Sequence, residues 1–257
     1  MDRRLAALVL PLTLTAVLSS ASTARDMSTD RPDATESPIP VDPGRWQLEL
    51  DALAWTDFAS GARTLQAAVI NLKRGLAPQT DVQFLLTPLT FDRAPDVLGG
   101  ESDVAPASLG IRLKHNLWGA DGGRTALALL PFATIQVGGE GAGDAWVAGL
   151  AVPVAADLGS GFGGGAMIQA ASVHDGEGRT SIWTTTATVG HAVSGPLSAY
   201  VEFIASTSSR AFDLVSTTAS FGVTVRPSDD LQLDAGVRTG LVRDESTVVF
   251  LGLSARR

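Results

Sequence analysis

Residues 46–51 read WQLELD, with Trp46, Leu48 and Leu50 alternating with Gln47, Glu49 and Asp51. A period of two places successive side chains on opposite faces of a strand, so one face here is apolar and the other polar. Similar segments recur at 64–74, 80–90, 106–117, 125–137, 145–157, 162–173, 181–192, 197–207, 214–226, 231–242 and 247–256. Most are at least as long as the about 9–11 residues a tilted strand needs to cross a bilayer. Strands of soluble sandwiches are shorter, about 5–6 residues.

The breaks between these segments alternate in character. GLAPQ (75–79), WGADGGR (118–124), LGSG (158–161), SGP (194–196) and PSDD (227–230) are turn-like. The intervening set is longer or more acidic: FDRAPDVLGGESDVA (91–105), GGEGAGD (138–144), HDGEGR (174–179) and SSRAFD (208–213). Outer-membrane barrels have short periplasmic turns and longer outside loops. The pattern therefore predicts an all-β fold: a single antiparallel up-and-down transmembrane β-barrel of about 12 strands over 46–257, with both ends on the periplasmic side.

Two segments precede the barrel. Residues 1–24 carry Arg3 and Arg4, then an apolar run from Leu5 to Leu18, then small residues Ser22 and Ala24 before Arg25. This is the layout of a cleaved secretory signal peptide, and it predicts export to the bacterial outer membrane. Residues 25–45, RDMSTDRPDATESPIPVDPGR, are polar, rich in Pro and without periodicity. They read as an extended periplasmic arm.

Composition narrows the functional classes. The net charge is −8, and removing the signal, with Arg3 and Arg4 against Asp2, leaves −9. Such a chain repels phosphate backbones, which excludes nucleic acid as a partner. There is no Cys, so no disulfide staples the exported fold. A closed barrel gains its stability by pairing every strand.

The alternation assigns faces. Trp46, Leu48, Leu50; Leu109, Ile111, Leu113; Leu197, Ala199, Val201, Phe203; and Leu231, Leu233, Ala235, Val237 are assigned to lipid. The other parity supplies the lumen-lining candidates Glu49, Asp51, Arg112, Lys114, Glu202, Asp234 and Arg238. A charge on the lipid face at mid-bilayer would cost about 2–4 kcal/mol, and this parity avoids it. Two readings of the inner charges stay open: ion pairs that fill a narrow barrel, or a polar path with a local field. Gly163, Gly164, Ala166, Ala170, Thr184 and Thr186 are expected to leave space inside or to ease curvature. Trp46, Trp55, Trp118, Trp146 and Trp183 lie near strand ends, as an interfacial girdle requires.

Chemical motifs are few. His115, His174 and His191 have neither metal-ligand spacing nor a neighbouring nucleophile, so no catalytic residue, metal or cofactor is expected. Gly159, Gly161 and Gly164 match GxGxxG, but in a hairpin and not between a strand and a helix. Asp92, Asp96, Glu101 and Asp103 cluster in the longest loop. Contact of that loop with lipopolysaccharide or a divalent cation is a further expectation, although the spacing is not that of an ordered Ca²⁺ loop.

The stretch TDRPDATESPIPVDPGRWQLEL (29–50) resembles the opening of the outer-membrane proteins grouped as the "MetA-pathway of phenol degradation" or transporter-like family. SDVAPASLGIRLKHNL (102–117), LQLDAGVRTGL (231–241) and GLSARR (252–257) are similar to its later strand motifs. One departure is the ending Ala255-Arg256-Arg257, where members usually close on an aromatic residue. The resemblance implies an outer-membrane channel or transporter for small compounds, often hydrophobic or aromatic. Its expected partners are outer-membrane lipid and a small-molecule solute. Alternatives are a non-transporting structural or adhesion barrel, and a soluble periplasmic ligand-binding barrel, whose outer face would have to be polar.

Overall fold

The structure, a computed structural model, describes residues 25–93, 102–105, 107–137, 146–174, 176–210, 214–242 and 246–257. The expected signal peptide, 1–24, lies outside the described residues. The strands are β1 (Trp46–Phe58), β2 (Arg63–Ala77), β3 (Thr80–Thr87), β4 (Leu89–Arg93), β5 (Ser102–Ala105), β6 (Ala107–Trp118), β7 (Thr125–Val137), β8 (Val147–Gly159), β9 (Phe162–His174), β10 (Arg179–Ser194), β11 (Leu197–Ser208), β12 (Leu214–Ser228), β13 (Leu231–Val242) and β14 (Ser246–Arg256).

These fourteen segments make twelve staves. β2 pairs with β3 along one half and with β4 along the other, so β3 and β4 are one stave interrupted at Pro88, which has no N–H to give the ladder. β4 pairs with β5 and β3 with β6, which joins β5 and β6 in the same way. Every neighbouring pair is antiparallel, and β1 pairs with both β2 and β14, so the sheet closes on itself. Trp46 and Arg257 exchange two backbone hydrogen bonds of 2.8 Å at the seam. Closure leaves no open sheet edge, as lipid requires.

The strands begin and end close to their expected positions. The one revision concerns 91–105, expected as loop: its two flanks continue as β4 and β5, paired through Arg93 and Ser102. At the other end of the barrel the turns are tight. Ser160 and Gly161 both have positive φ, 54° and 79°, which matches the right-handed twist of a two-residue hairpin. That turn accounts for the glycine spacing at 159–164.

The faces separate as the alternation requires. On β11, Val201 and Phe203 are 46% and 49% exposed, while Glu202 between them is 1% exposed. Ile111 and Leu113 on β6 are exposed, while Lys114 is buried. A bulge in β1 between Asp51 and Leu53 changes the parity, which keeps Leu53 and Trp55 outside. Two assignments need correction: Ala166 and Ala170 share the parity of exposed Ile168 on β9, so they face outward and leave no space inside. Gly164 shares that parity.

All five tryptophans are exposed. Trp46 and Trp118 sit at the tight-turn end; Trp55, Trp146 and Trp183 sit toward the other. Arg74 lies over the Trp46 ring at 5.0 Å and Arg179 over Trp146 at 3.4 Å, so cations flank the aromatic rows. Trp46 and Trp55 are nine residues apart on β1. At about 3.3 Å per residue and a tilt of about 40°, that is about 23 Å of height, close to the apolar band of an outer-membrane barrel.

Candidate functional site: an arm inside the barrel

Residues 25–45 are extended, and the inward-facing side chains of the barrel surround them. The segment is a narrow loop with its foot at the tight-turn end. There the Arg25 Nε donates to Asp42 Oδ1 at 2.6 Å, and Arg256 Nη1 donates to the Arg25 carbonyl at 2.7 Å. Its exit crosses β2 at Gly75, where Gly44 N–H donates to the Gly75 carbonyl at 3.0 Å. A Cβ on Gly75 would run into the Asp42 backbone, so only glycine fits.

The tip, residues 30–36, is held from every side. Asp30 binds two lysines, Lys73 of β2 and Lys114 of β6, the latter at 2.6 Å. Lys73 also donates to Glu49 of β1 at 2.5 Å, and Glu49 accepts the Asp30 backbone N–H at 3.0 Å. Across the lumen, Arg31 grips Asp234 of β13 with two bonds, Nη2 to Oδ1 at 2.6 Å and Nε to Oδ2 at 3.2 Å. Its remaining nitrogen binds Asp51. Gly252 of β14 provides the room, since a Cβ there would collide with the Arg31 guanidinium. Glu202 of β11 accepts the backbone N–H groups of Ala34 at 2.9 Å and Thr35 at 2.7 Å. Glu36 binds Arg112 of β6. Asp51 and Glu202 are each five residues in from the tight-turn ends of their strands, so the arm fills about the half of the barrel nearest those turns.

Sequence reasoning singled out Glu49, Asp51, Arg112, Lys114, Glu202, Asp234 and Arg238. The structure brings the first six onto the arm. Arg238 lines the space above the tip and has no ion pair with a described residue. The residues missed were the arm's own Asp30, Arg31, Thr35 and Glu36, together with Lys73 and Asp81. Asp81, wholly buried, accepts the Val41 backbone N–H at 2.9 Å. Lys73 and Asp81 were legible as charges inside strand segments; nothing in the sequence linked them to the arm.

Facing the lumen at the arm are the acids Asp30, Asp33, Glu36, Glu49, Asp51, Asp81, Glu202 and Asp234 and the bases Arg31, Lys73, Arg112, Lys114, Arg226 and Arg238, two more acids than bases among the described residues. Two of these acids, Glu202 and Asp81, are stabilised by backbone N–H groups and have no ion pair with a described residue. Asp33 has no ion pair with a described residue; burial first, and Glu202 second, push its carboxyl up to about 7. The opposite wall differs. Ala128, Leu130, Ala151 and Met167 of β7, β8 and β9 form a buried apolar patch. The arm's Pro38 is fully buried, and its carbonyl accepts from Asn116 at 2.9 Å.

The arm leaves two cavities. One, of about 450 Å³, lies against β1–β3 and is lined by Thr56, Asn71, Arg112, Arg238 and Phe250. The other, of about 560 Å³, lies against β8–β12 and is lined by Gly163, Thr188, Tyr200, Arg226 and Gln232. Arg31, Pro32, Asp33 and Glu36 of the tip line both. The three histidines are not brought together: His115 meets Thr80, His174 accepts from Gly176, and His191 stacks on Phe162. Of the acidic loop, Asp92 accepts from Thr64 at 2.7 Å, while Asp96 and Glu101 lie outside the described residues.

A closed twelve-stranded barrel with an apolar, tryptophan-edged belt and a charged interior is an outer-membrane β-barrel. The chain belongs to the family described as "Putative MetA-pathway of phenol degradation", whose model matches residues 29–256. That match includes the arm from Thr29 onward, so the segment inside the lumen is part of the family pattern. Among solved structures, the chain is similar to the COG4313 outer membrane channel from Pseudomonas putida F1, at 14% identity and a TM-score of 0.58, covering 90% of this chain and 100% of that one. It is also similar to the NanC porin, at 8% identity and a TM-score of 0.55, covering 82% of this chain and 98% of that one. The KdgM porin in complex with disordered oligogalacturonate gives 6% identity and a TM-score of 0.53, with the same coverage. No curated protein sequence matches the chain.

Proposed function

We propose that the chain is a non-enzymatic outer-membrane channel for small solutes, with a bore narrowed by its own N-terminal arm. The observation that carries this reading is the pair of cavities on either side of the arm tip. A twelve-stranded barrel is wider than the roughly eight-stranded barrels that side chains alone can fill, and narrower than the sixteen-stranded open porins. The arm occupies the surplus width without filling it. The similarity to barrels described as channels and porins supports the same reading. So does family membership, which suggests small hydrophobic or aromatic compounds as cargo. In this reading the tight turns face the periplasm and the acidic loop around Asp92 faces outward, toward lipopolysaccharide or divalent cations.

Liposome swelling tests it. The purified protein is expected to admit solutes of up to a few hundred daltons, and to admit larger ones once residues 26–41 are removed. Absence of flux for every small solute, with and without the arm, would overturn the proposal. The ion-paired tip favours a second reading, a structural barrel kept shut. Flux that appears only after the arm is removed would select it.

A further inference from the structure

The four tip residues shared by the two cavities are not equivalent. Arg31 is held by Asp51 and Asp234, and Glu36 is held by Arg112. Pro32 has no charge. Asp33 has no ion pair with a described residue, and no described residue pairs with Arg238 across the same space. Tyr200 of β11 lines the second cavity, where its hydroxyl bonds to Ser220 at 3.1 Å. Among the charged residues of the tip, Asp33 alone has no ion pair with a described residue; it is held by Thr188 of β10, and it lines the first cavity together with Arg238 of β13 and the second together with Tyr200 of β11, which leaves a gap between these three.

We propose that this gap is the selectivity filter of the channel, and that it passes small cations in preference to anions. The inference rests on the channel reading and adds the location of the constriction and the charge of its favoured solute. Two observations set the sign. The lumen around the arm holds two more acids than bases among the described residues. In the filter itself neither the Asp33 carboxyl, held by Thr188, nor the Arg238 guanidinium has an ion pair with a described residue, so the acid excess around them is opposed there by a single unpaired cation. In a narrow, partly dehydrated passage a fixed charge acts on ions with little screening, so one side chain shifts permeability. Asp33 and Arg238 are the specificity-determining pair; the tied residues hold the tip in place.

Planar-bilayer recordings of the full mature chain under a KCl gradient test this through the reversal potential. The wild type is expected to be cation-selective. Asp33→Asn is expected to lower the K⁺/Cl⁻ permeability ratio by about twofold or more, and Arg238→Gln to raise it by a similar factor. Asp57→Asn, at the far end of β1 and paired with Arg63, is expected to leave the ratio unchanged. Heat-modifiable migration on gels establishes that each variant is folded. An anion-selective wild type, or equal ratios in the folded Asp33 and Arg238 variants, overturns the filter while leaving the channel reading in place. No conductance from the folded wild type overturns the channel reading and the filter with it.

Discussion

Asp234 shows what a single residue does in this lumen. Its carboxylate is wholly shielded from solvent, and it accepts both bonds of the Arg31 fork. Breaking a buried pair from one side leaves the other charge unpaired, at a cost of about 3–5 kcal/mol. Asp234→Asn is therefore expected to loosen the arm and not the barrel. The chain has no cysteine, so a single Val41→Cys gives a clean probe on a buried arm position. Maleimide labelling of that thiol should be at least about tenfold faster in the Asp234→Asn background, which corresponds to about 1.4 kcal/mol of the expected loss. Equal labelling rates would mean that the Arg31 fork does not hold the arm. Asp33 adds a pH dependence. Its carboxyl is raised to about 7, so it is neutral below that value and charged above it. The groups bearing on it are Glu202 of β11, Thr188 of β10 and Asp30 on the arm, and Glu36, Tyr200 and Arg238 line the same cavities. Cation preference should therefore rise as pH increases through about 7, and the rise should be smaller in Asp33→Asn, where Glu36, also raised to about 7 by burial, is left to titrate.

At the scale of elements, β1 and the arm show where sequence reasoning reached and where it stopped. The strands were legible because lipid enforces alternation: Val201, Glu202 and Phe203 can be sorted into outside and inside by chemistry alone. The bulge at Asp51–Leu53 was not legible, since Ala52 is a small residue between two that read normally. Its effect is testable. Strict alternation through Ala52 would turn Leu53 and Trp55 toward the lumen, because a one-residue slip moves every later side chain of a strand to the other face. Deleting Ala52 removes the extra residue and leaves Leu53 and Trp55 on the lipid face by plain alternation from Asp51, so the deletion is expected to fold in lipid vesicles at close to the wild-type yield. Severe loss of folded yield in the deletion variant would show that the bulge does more than set the faces. The arm was hidden for a different reason. A polar, Pro-rich segment has the same composition whether water or a polar lumen solvates it. Only complementarity distinguishes the two, and Asp30 meets Lys73 and Lys114 at sequence separations no local pattern spans. Removal of residues 26–41 exposes the barrel charges to water that can hydrate them, so the barrel should keep its heat-modifiable migration while its conductance rises several-fold.

For the whole molecule, the outer surface is the part on which the environment acts most strongly. A soluble barrel would carry polar residues there; this one exposes Ile111, Val201, Phe203, Phe221, Leu233 and Leu251 in a continuous belt between the tryptophan rows. In water such a patch would drive association, and in a bilayer it replaces lipid contacts at no cost. The belt and the lumen thus make opposite demands on a new charge, and one substitution can be placed on either side. Val201 lies four residues into β11 from Leu197, near the middle of the belt, and faces out. Val201→Arg puts a cation into hydrocarbon, at a cost of about 2–4 kcal/mol. Thr56 lines the cavity above the arm, on the inner face of β1 beyond the bulge. Thr56→Arg adds the same side chain where water and carboxylates can receive it. In urea titrations of protein refolded in vesicles, Val201→Arg should move the midpoint down by the equivalent of about 2–4 kcal/mol, and Thr56→Arg by less than about 1 kcal/mol. If the two substitutions cost the same, the belt does not lie in lipid, and the membrane placement of the barrel falls with it.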